Sequence, residues 1–178
     1  MRLFVGLSFT HNVRQTLHQL ASGLDNARWV EPENYHLTLR FIGEVNNHDA
    51  GDVDLNLSAV DSEPFYLQFC GIGYFGKVEK PRSIWANIAP NRALSLLREK
   101  VERGVINSGF DAEGRRFRPH VTLARFRSRT PRNFTTYFSA NGTFSTAPFL
   151  VSSFTLFESK MSHGGSNYLA LKEYPLNT

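Results

Sequence analysis

Arg118, Pro119, His120, Val121, Thr122, Leu123, Ala124 and Arg125 form a stretch whose core recurs upstream as His36, Leu37, Thr38 and Leu39. Each copy reads histidine, apolar, threonine, apolar. In an extended strand successive side chains point to opposite faces, so His and Thr share one face and the apolar pair shares the other. Burying Leu37 and Leu39, or Val121 and Leu123, holds an imidazole and a hydroxyl in fixed register above a core. Two such strands make a site with two histidines.

One histidine on a strand is more often a satisfied structural residue than a catalyst. The pair carries more weight, because six His and eleven Thr in 178 residues give by chance less than one His-x-Thr. His11, His18, His48 and His163 stand in no such context and read as surface residues.

The length favours one domain, or two small lobes sharing a core. We expect a single bilobal unit over residues 1–178. No run approaches the roughly 18 to 20 consecutive apolar residues a membrane helix needs, and no membrane partner is expected. A single cysteine, Cys70, supplies neither a disulfide framework nor a metal cluster and points to a reducing cytoplasm. The net charge is +4, and its distribution is uneven. From Gly114 to Phe157 there is no Asp or Glu, while Arg115, Arg116, Arg118, Arg125, Arg127, Arg129 and Arg132 supply seven positive charges. The remaining 13 basic and 16 acidic residues leave the rest of the chain at −3. A solvated basic face is the bland reading. The adjacent second motif tips the balance towards phosphate, which arginine's planar fork suits.

Working outward in chain order, Arg2 to Phe9 alternates as a strand. Thr10 can cap a helix carrying Val13, Leu17, Leu20 and Leu24. The first motif strand spans about Tyr35 to Ile42, and a weak helix is expected over Ala50–Val60. Strands over Phe65–Phe75 and Ser83–Ala89 flank a hairpin loop at Gly76–Pro81. Asn91 can cap the strongest helix, with Leu94, Leu97, Val101 and Val105 on one face. The second motif strand covers Phe117 to Phe126, Asn133–Ser139 has no defined pattern, and two strands end the chain, over Thr143–Phe157 and Tyr168–Leu171. Trp85 reads as core. The elements repeat approximately, and an α+β fold follows.

Three chemistries suit two histidines and two threonines. Zinc usually takes a third ligand, and neither motif supplies a neighbouring carboxylate. A nucleophilic Thr needs a base beside it, whereas each Thr here shares a strand with its own His, which suits joint grip on a ligand. Metal-free acid and base catalysis is the third. An imidazole of pKa near 6.5 can serve as acceptor or donor at neutral pH, and in-line hydrolysis of a phosphodiester needs both roles on opposite sides of phosphorus.

The two motifs resemble those of the 2H phosphoesterase superfamily and, within it, the bacterial and archaeal RNA 2',3'-cyclic phosphodiesterases formerly called 2'-5' RNA ligases. Asn34 to Glu44 resembles the first family block, Arg82 to Ile88 a middle strand with its tryptophan, and Phe117 to Arg125 the second block. The resemblance implies two pseudo-symmetric lobes of antiparallel sheet, helices on the outer faces and a central cleft carrying both motifs. It implies His36 as general acid and His120 as general base, Thr38, Thr122 and Arg125 on the phosphate, and Phe75 against a substrate base. Tyr168 is a weaker candidate for such a contact. Strict alternation turns Arg125 away from His120, so the strand must end or twist before it. Arg40 shares a face with His36 and Thr38 by the same alternation and is a further phosphate candidate.

The expected activity is hydrolysis of RNA 2',3'-cyclic phosphate ends to 2'-phosphomonoesters, with reversible 2'-5' ligation beside it. No cofactor or metal is expected, and no obligatory protein partner; the chain is read as a monomer. A small cyclic nucleotide or 2'-5' oligoadenylate substrate suits the same motifs. From a different class, a non-catalytic module that binds RNA ends or nucleotide phosphates is the alternative.

Overall fold

Leu3, Val5 and Leu7 alternate along β1 (Arg2–Ser8), and all three are buried. The computed structural model describes residues 1–127 and 130–177, so Arg129 of the arginine-rich stretch lies outside the described residues. After β1 come α1 (His11–His18), β2 (Arg28–Trp29), β3 (His36–Glu44), α2 (Asn47–Ser58), β4 (Phe65–Leu67) and β5 (Phe69–Lys77). They are followed by β6 (Lys80–Ile88), α3 (Arg92–Asn107), β7 (His120–Arg125), α4 (Phe134–Asn141), β8 (Phe149–Val151), β9 (Ser153–Ser162) and β10 (Gly165–Pro175).

Two four-stranded antiparallel sheets carry one motif each. The first runs β10-β9-β1-β3 and the second β2-β7-β6-β5, while β4 and β8 pair separately. The motif strand β3 is an edge of the first sheet. Strand β7 has only the two-residue β2 beyond it, and β3 and β7 lie side by side. This is the expected α+β architecture of two antiparallel lobes. The helix α3 buries Leu94, Leu97, Val101 and Val105, and its cap is the expected one: the Asn91 side chain accepts from the Leu94 amide at 2.9 Å.

Several boundaries differ from the sequence pattern, each for a local reason. Helix α1 stops at His18, because the next amides, of Leu20 and Ala21, bond three residues back and turn the chain. The expected strand over Phe65–Phe75 breaks at Gln68, whose side chain donates to the Thr146 carbonyl at 2.8 Å as β4 departs to pair with β8. Helix α4 forms where no pattern was visible. Phe134 and Tyr137 are buried there, and the Tyr137 hydroxyl donates to the Leu20 carbonyl at 2.8 Å, so tertiary packing supplies what propensity lacks.

Both motif strands carry the same irregularity. Gly6 pairs with Thr38 and Val5 with Arg40, leaving Leu39 as an extra residue. Trp85 pairs with Thr122 and Ile84 with Ala124, leaving Leu123 as an extra residue. A bulge of this kind resets the alternation beyond it. The first six residues of β3 and of β7 accordingly share one burial sequence, in which the bulged leucine and its successor are both buried and the next residue is exposed.

Candidate active site

His36 and His120 open their strands and are oriented alike. His36 Nδ1 lies 2.8 Å from the carbonyl oxygen of Asn34, and His120 Nδ1 lies 2.6 Å from that of Arg118. A carbonyl only accepts, so Nδ1 carries the proton in both rings and each Nε2 is left to meet a ligand. The anchor is two residues upstream in each case, and it follows from the extended backbone that leads into each motif.

Thr38 and Thr122, both half-buried, share a face with their own histidines. Arg125 joins them, because the bulge at Leu123 returns it to the face that alternation denied it. It is exposed, stands in register with Ser83 on β6 and Arg28 on β2, and its charge reaches both imidazoles. Burial is the main force on each ring, as a charged imidazole loses hydration there. It pulls His36 down to about 4, with the charges of Arg125 and His120 adding to the fall and the Asn34 carbonyl opposing it. His120 is lowered for the same reason, aided by Arg125 and opposed by the Arg118 carbonyl.

Each ring has aromatic company. The Tyr168 ring stands edge-on to His36 with centroids 4.6 Å apart, and the buried Phe4 ring lies 4.9 Å away. Phe75 stands edge-on to His120 at 5.1 Å, with Trp85 at 5.6 Å.

A sequence model of the family described as LigT like phosphoesterase matches residues 7–85 and 88–168. The chain belongs to the LigT-like phosphoesterases.

The relatives of this LigT-like phosphoesterase agree in name. A protein of Aeropyrum pernix named RNA 2',3'-cyclic phosphodiesterase is 39% identical over 99 residues, which span 55% of this chain and 56% of that one. One of Aquifex aeolicus with the same name is 27% identical across 99% of this chain and 97% of its own. The crystal structure of Escherichia coli LigT complexed with 3'-AMP superposes with a TM-score of 0.80 at 25% identity, covering 99% of this chain and 98% of that one.

Two expectations for this phosphoesterase need correction. Arg40 does not share the face of His36 and Thr38. The bulge at Leu39 turns it into the core, 8% exposed, where its Nε lies 2.7 Å from Glu102 on α3 and its guanidinium donates to the carbonyls of Phe41 and Asp111. Phe41, half exposed, takes the position on β3 that Arg125 takes on β7. Trp85 is not a core residue. It is half-buried, paired with Thr122 and set beside His120.

Arg28 carried no motif signal. Its guanidinium reaches across to the Gly164 carbonyl in the β9–β10 turn, so it joins the second sheet to the first next to Arg125. His11, His18, His48 and His163 are exposed. Among the described residues, the cluster of three groups able to hold a metal is His48, Asp49 and Asp52, at the exposed start of α2 and apart from either motif. Among the described residues no helix is long and apolar enough to cross a membrane.

Proposed function

We propose that this phosphoesterase hydrolyses RNA 2',3'-cyclic phosphate ends to 2'-phosphomonoesters by two-histidine acid and base catalysis. The observation that carries the reading is the matched pair of Nδ1 anchors, which leaves two Nε2 atoms for proton transfer. The names of the relatives support the substrate.

In the reaction His120 Nε2 takes a proton from water as its oxygen attacks phosphorus. The bond from phosphorus to the ribose 3'-oxygen breaks, and that oxygen takes the proton of His36 Nε2. The product keeps phosphate on the 2'-oxygen, and the two imidazoles exchange their proton with solvent before the next turnover. Thr38 and Thr122 donate to the non-bridging oxygens, and Arg125 offsets the charge that builds there. His36 is neutral in the free enzyme at neutral pH, and the phosphodiester anion favours its protonated form as substrate binds. Phe75 and Trp85 offer an aromatic wall for a base beside His120. A 5'-hydroxyl in place of water gives 2'-5' ligation by the same steps, and the return reaction, attack of the 3'-hydroxyl on the 2'-5' diester, exchanges the roles of the two histidines.

The reading needs no cofactor and no partner subunit, and the lone thiol of Cys70 suits a reducing cytoplasm. The domain is taken as one bilobal unit, since each lobe supplies one histidine. The test is turnover, in EDTA, of an oligonucleotide ending in a 2',3'-cyclic phosphate. Product bearing 2'-phosphate, lost in both His36→Ala and His120→Ala, is the expected result. Full activity in either variant overturns the reading, and tight binding without turnover in the wild type replaces it with a binding module.

A further inference from the structure

Beside His36, away from the Phe75 wall, the first sheet holds a cavity of about 190 Å³. Ser8, Thr155 and Tyr168 line it, the Tyr168 ring standing edge-on to His36, and Arg14, Glu33 and Glu173 bring charges. Arg14 lines the cavity, and its Nε is buried without a hydrogen-bond partner. Ser153 donates to Glu173 Oε1 at 2.5 Å and so holds that carboxylate in place.

The charges decide what fits. With His36 neutral, as in the free protein, one cation against two carboxylates leaves the cavity net negative, which repels a second phosphate and accepts a neutral ring carrying N–H donors. An arginine pairs with the O6 and N7 acceptors of guanine. A carboxylate pairs with the adjacent N1–H and N2–H donors that guanine alone offers together. Adenine sets an acceptor at N1 against the carboxylate, and uracil has no amino group.

We propose that this cavity is a base subsite for the nucleoside whose 3'-oxygen leaves, and that it favours guanine. The inference rests on the assignment of His36 to that oxygen. It places the base on the opposite side of phosphorus from Phe75 and Trp85, whose wall then serves the nucleoside that replaces water in ligation.

The experiment compares the four nucleoside 2',3'-cyclic monophosphates by kcat/KM, and the four nucleoside 2'-monophosphates by equilibrium titration, which needs no turnover. Wild type is set beside Arg14→Met, Glu33→Gln, Glu173→Gln and Phe75→Ala. Guanosine is expected to lead uridine by about tenfold or more, the worth of one good bidentate pair, and the lead is expected to collapse in Arg14→Met and in at least one Gln variant while surviving Phe75→Ala. Four bases equal in both measurements overturn the proposal. A preference that vanishes only in Phe75→Ala puts the base on the other wall and overturns it too. Tighter binding on adding a 5'-phosphate, whatever the base and dependent on Arg14, makes the cavity a phosphate site instead. If no cyclic nucleotide is turned over but the 2'-phosphate of guanosine still binds selectively through Arg14, the hydrolytic reading fails and the subsite stands.

Discussion

Arg40 and Ala124 hold the same place in the two motif strands: each follows a bulged leucine, and each is turned into the core. The next residues, Phe41 and Arg125, are therefore the pair that face outward with the histidines. The two motif strands share a bulge and a burial pattern, and they differ in charge. A single guanidinium stands at one end, where it acts on both imidazoles.

Arg40 is thus a stability residue. Removing it takes the shortest ion pair from buried Glu102, which keeps the Glu113 amide at 2.7 Å and Arg98 at 3.7 Å, and breaking a buried pair from one side costs up to about 3–5 kcal/mol. Arg40→Ala is expected to lower the midpoint of denaturant unfolding accordingly, and Arg40→Met combined with Glu102→Leu to recover much of the loss. An unchanged midpoint together with a large fall in kcat would return Arg40 to the phosphate.

Arg125 shows the opposite pattern. It is exposed, so Arg125→Gln is expected to leave the unfolding midpoint within about 0.5 kcal/mol of wild type. In the proposed mechanism its loss removes the charge that offsets the developing phosphorane, and kcat is expected to fall by about 10²–10³, with a smaller rise in KM. Steady-state kinetics on a cyclic-ended dinucleotide decide it; a change confined to KM would reduce Arg125 to simple binding.

Both imidazoles titrate below 6.5 in the free protein, His36 at about 4. The profile of kcat/KM reports free enzyme, so its alkaline limb is expected below pH 6.5, because the protonated acid is lost there. Bound phosphodiester anion favours protonated His36, and the alkaline limb of kcat is expected at higher pH. Stability moves the other way. Between 6.5 and about 4 the unfolded chain holds more protons at His36 than the folded one, so stability is lost as pH falls through that window. Urea unfolding from pH 7 to pH 4 is expected to show a shallower loss in His36→Asn than in wild type.

The motifs were legible because period-two alternation places His and Thr together whatever the fold around them. What alternation alone missed lies just beyond each threonine. One extra residue at Leu39 and at Leu123 reversed the faces of Arg40 and Arg125, and nothing in the local composition marks a bulge inside a leucine-containing strand. The requirement that the second strand twist before Arg125 pointed to it on one side only; the same logic applied to the first strand would have removed Arg40. Arg28 and the cavity near Arg14 were invisible for another reason. They depend on strands far apart in sequence, β1, β9 and β10 for the cavity and the β9–β10 turn for Arg28. Helix α4 was hidden likewise, since its aromatic residues form a helix only against Tyr74 and Leu20.

Gly73 offers a test of the wall beside His120. A Cβ built there lies 2.2 Å from the Trp85 ring, so the indole crosses β5 only because residue 73 has no side chain. Its φ is not in the left-handed region, and an alanine there meets no backbone penalty of its own. Gly73→Ala must displace Trp85, at a cost of about 1–3 kcal/mol for an overpacked position. The displaced ring no longer sits 5.6 Å from His120, and KM for a substrate with a base at this wall is expected to rise severalfold. Trp85→Phe frees the space, so the two substitutions are expected to be strongly non-additive, the double variant folding as stably as Trp85→Phe alone. Additive effects on both stability and KM would mean that the glycine and the indole act independently and that the wall is not built on their contact.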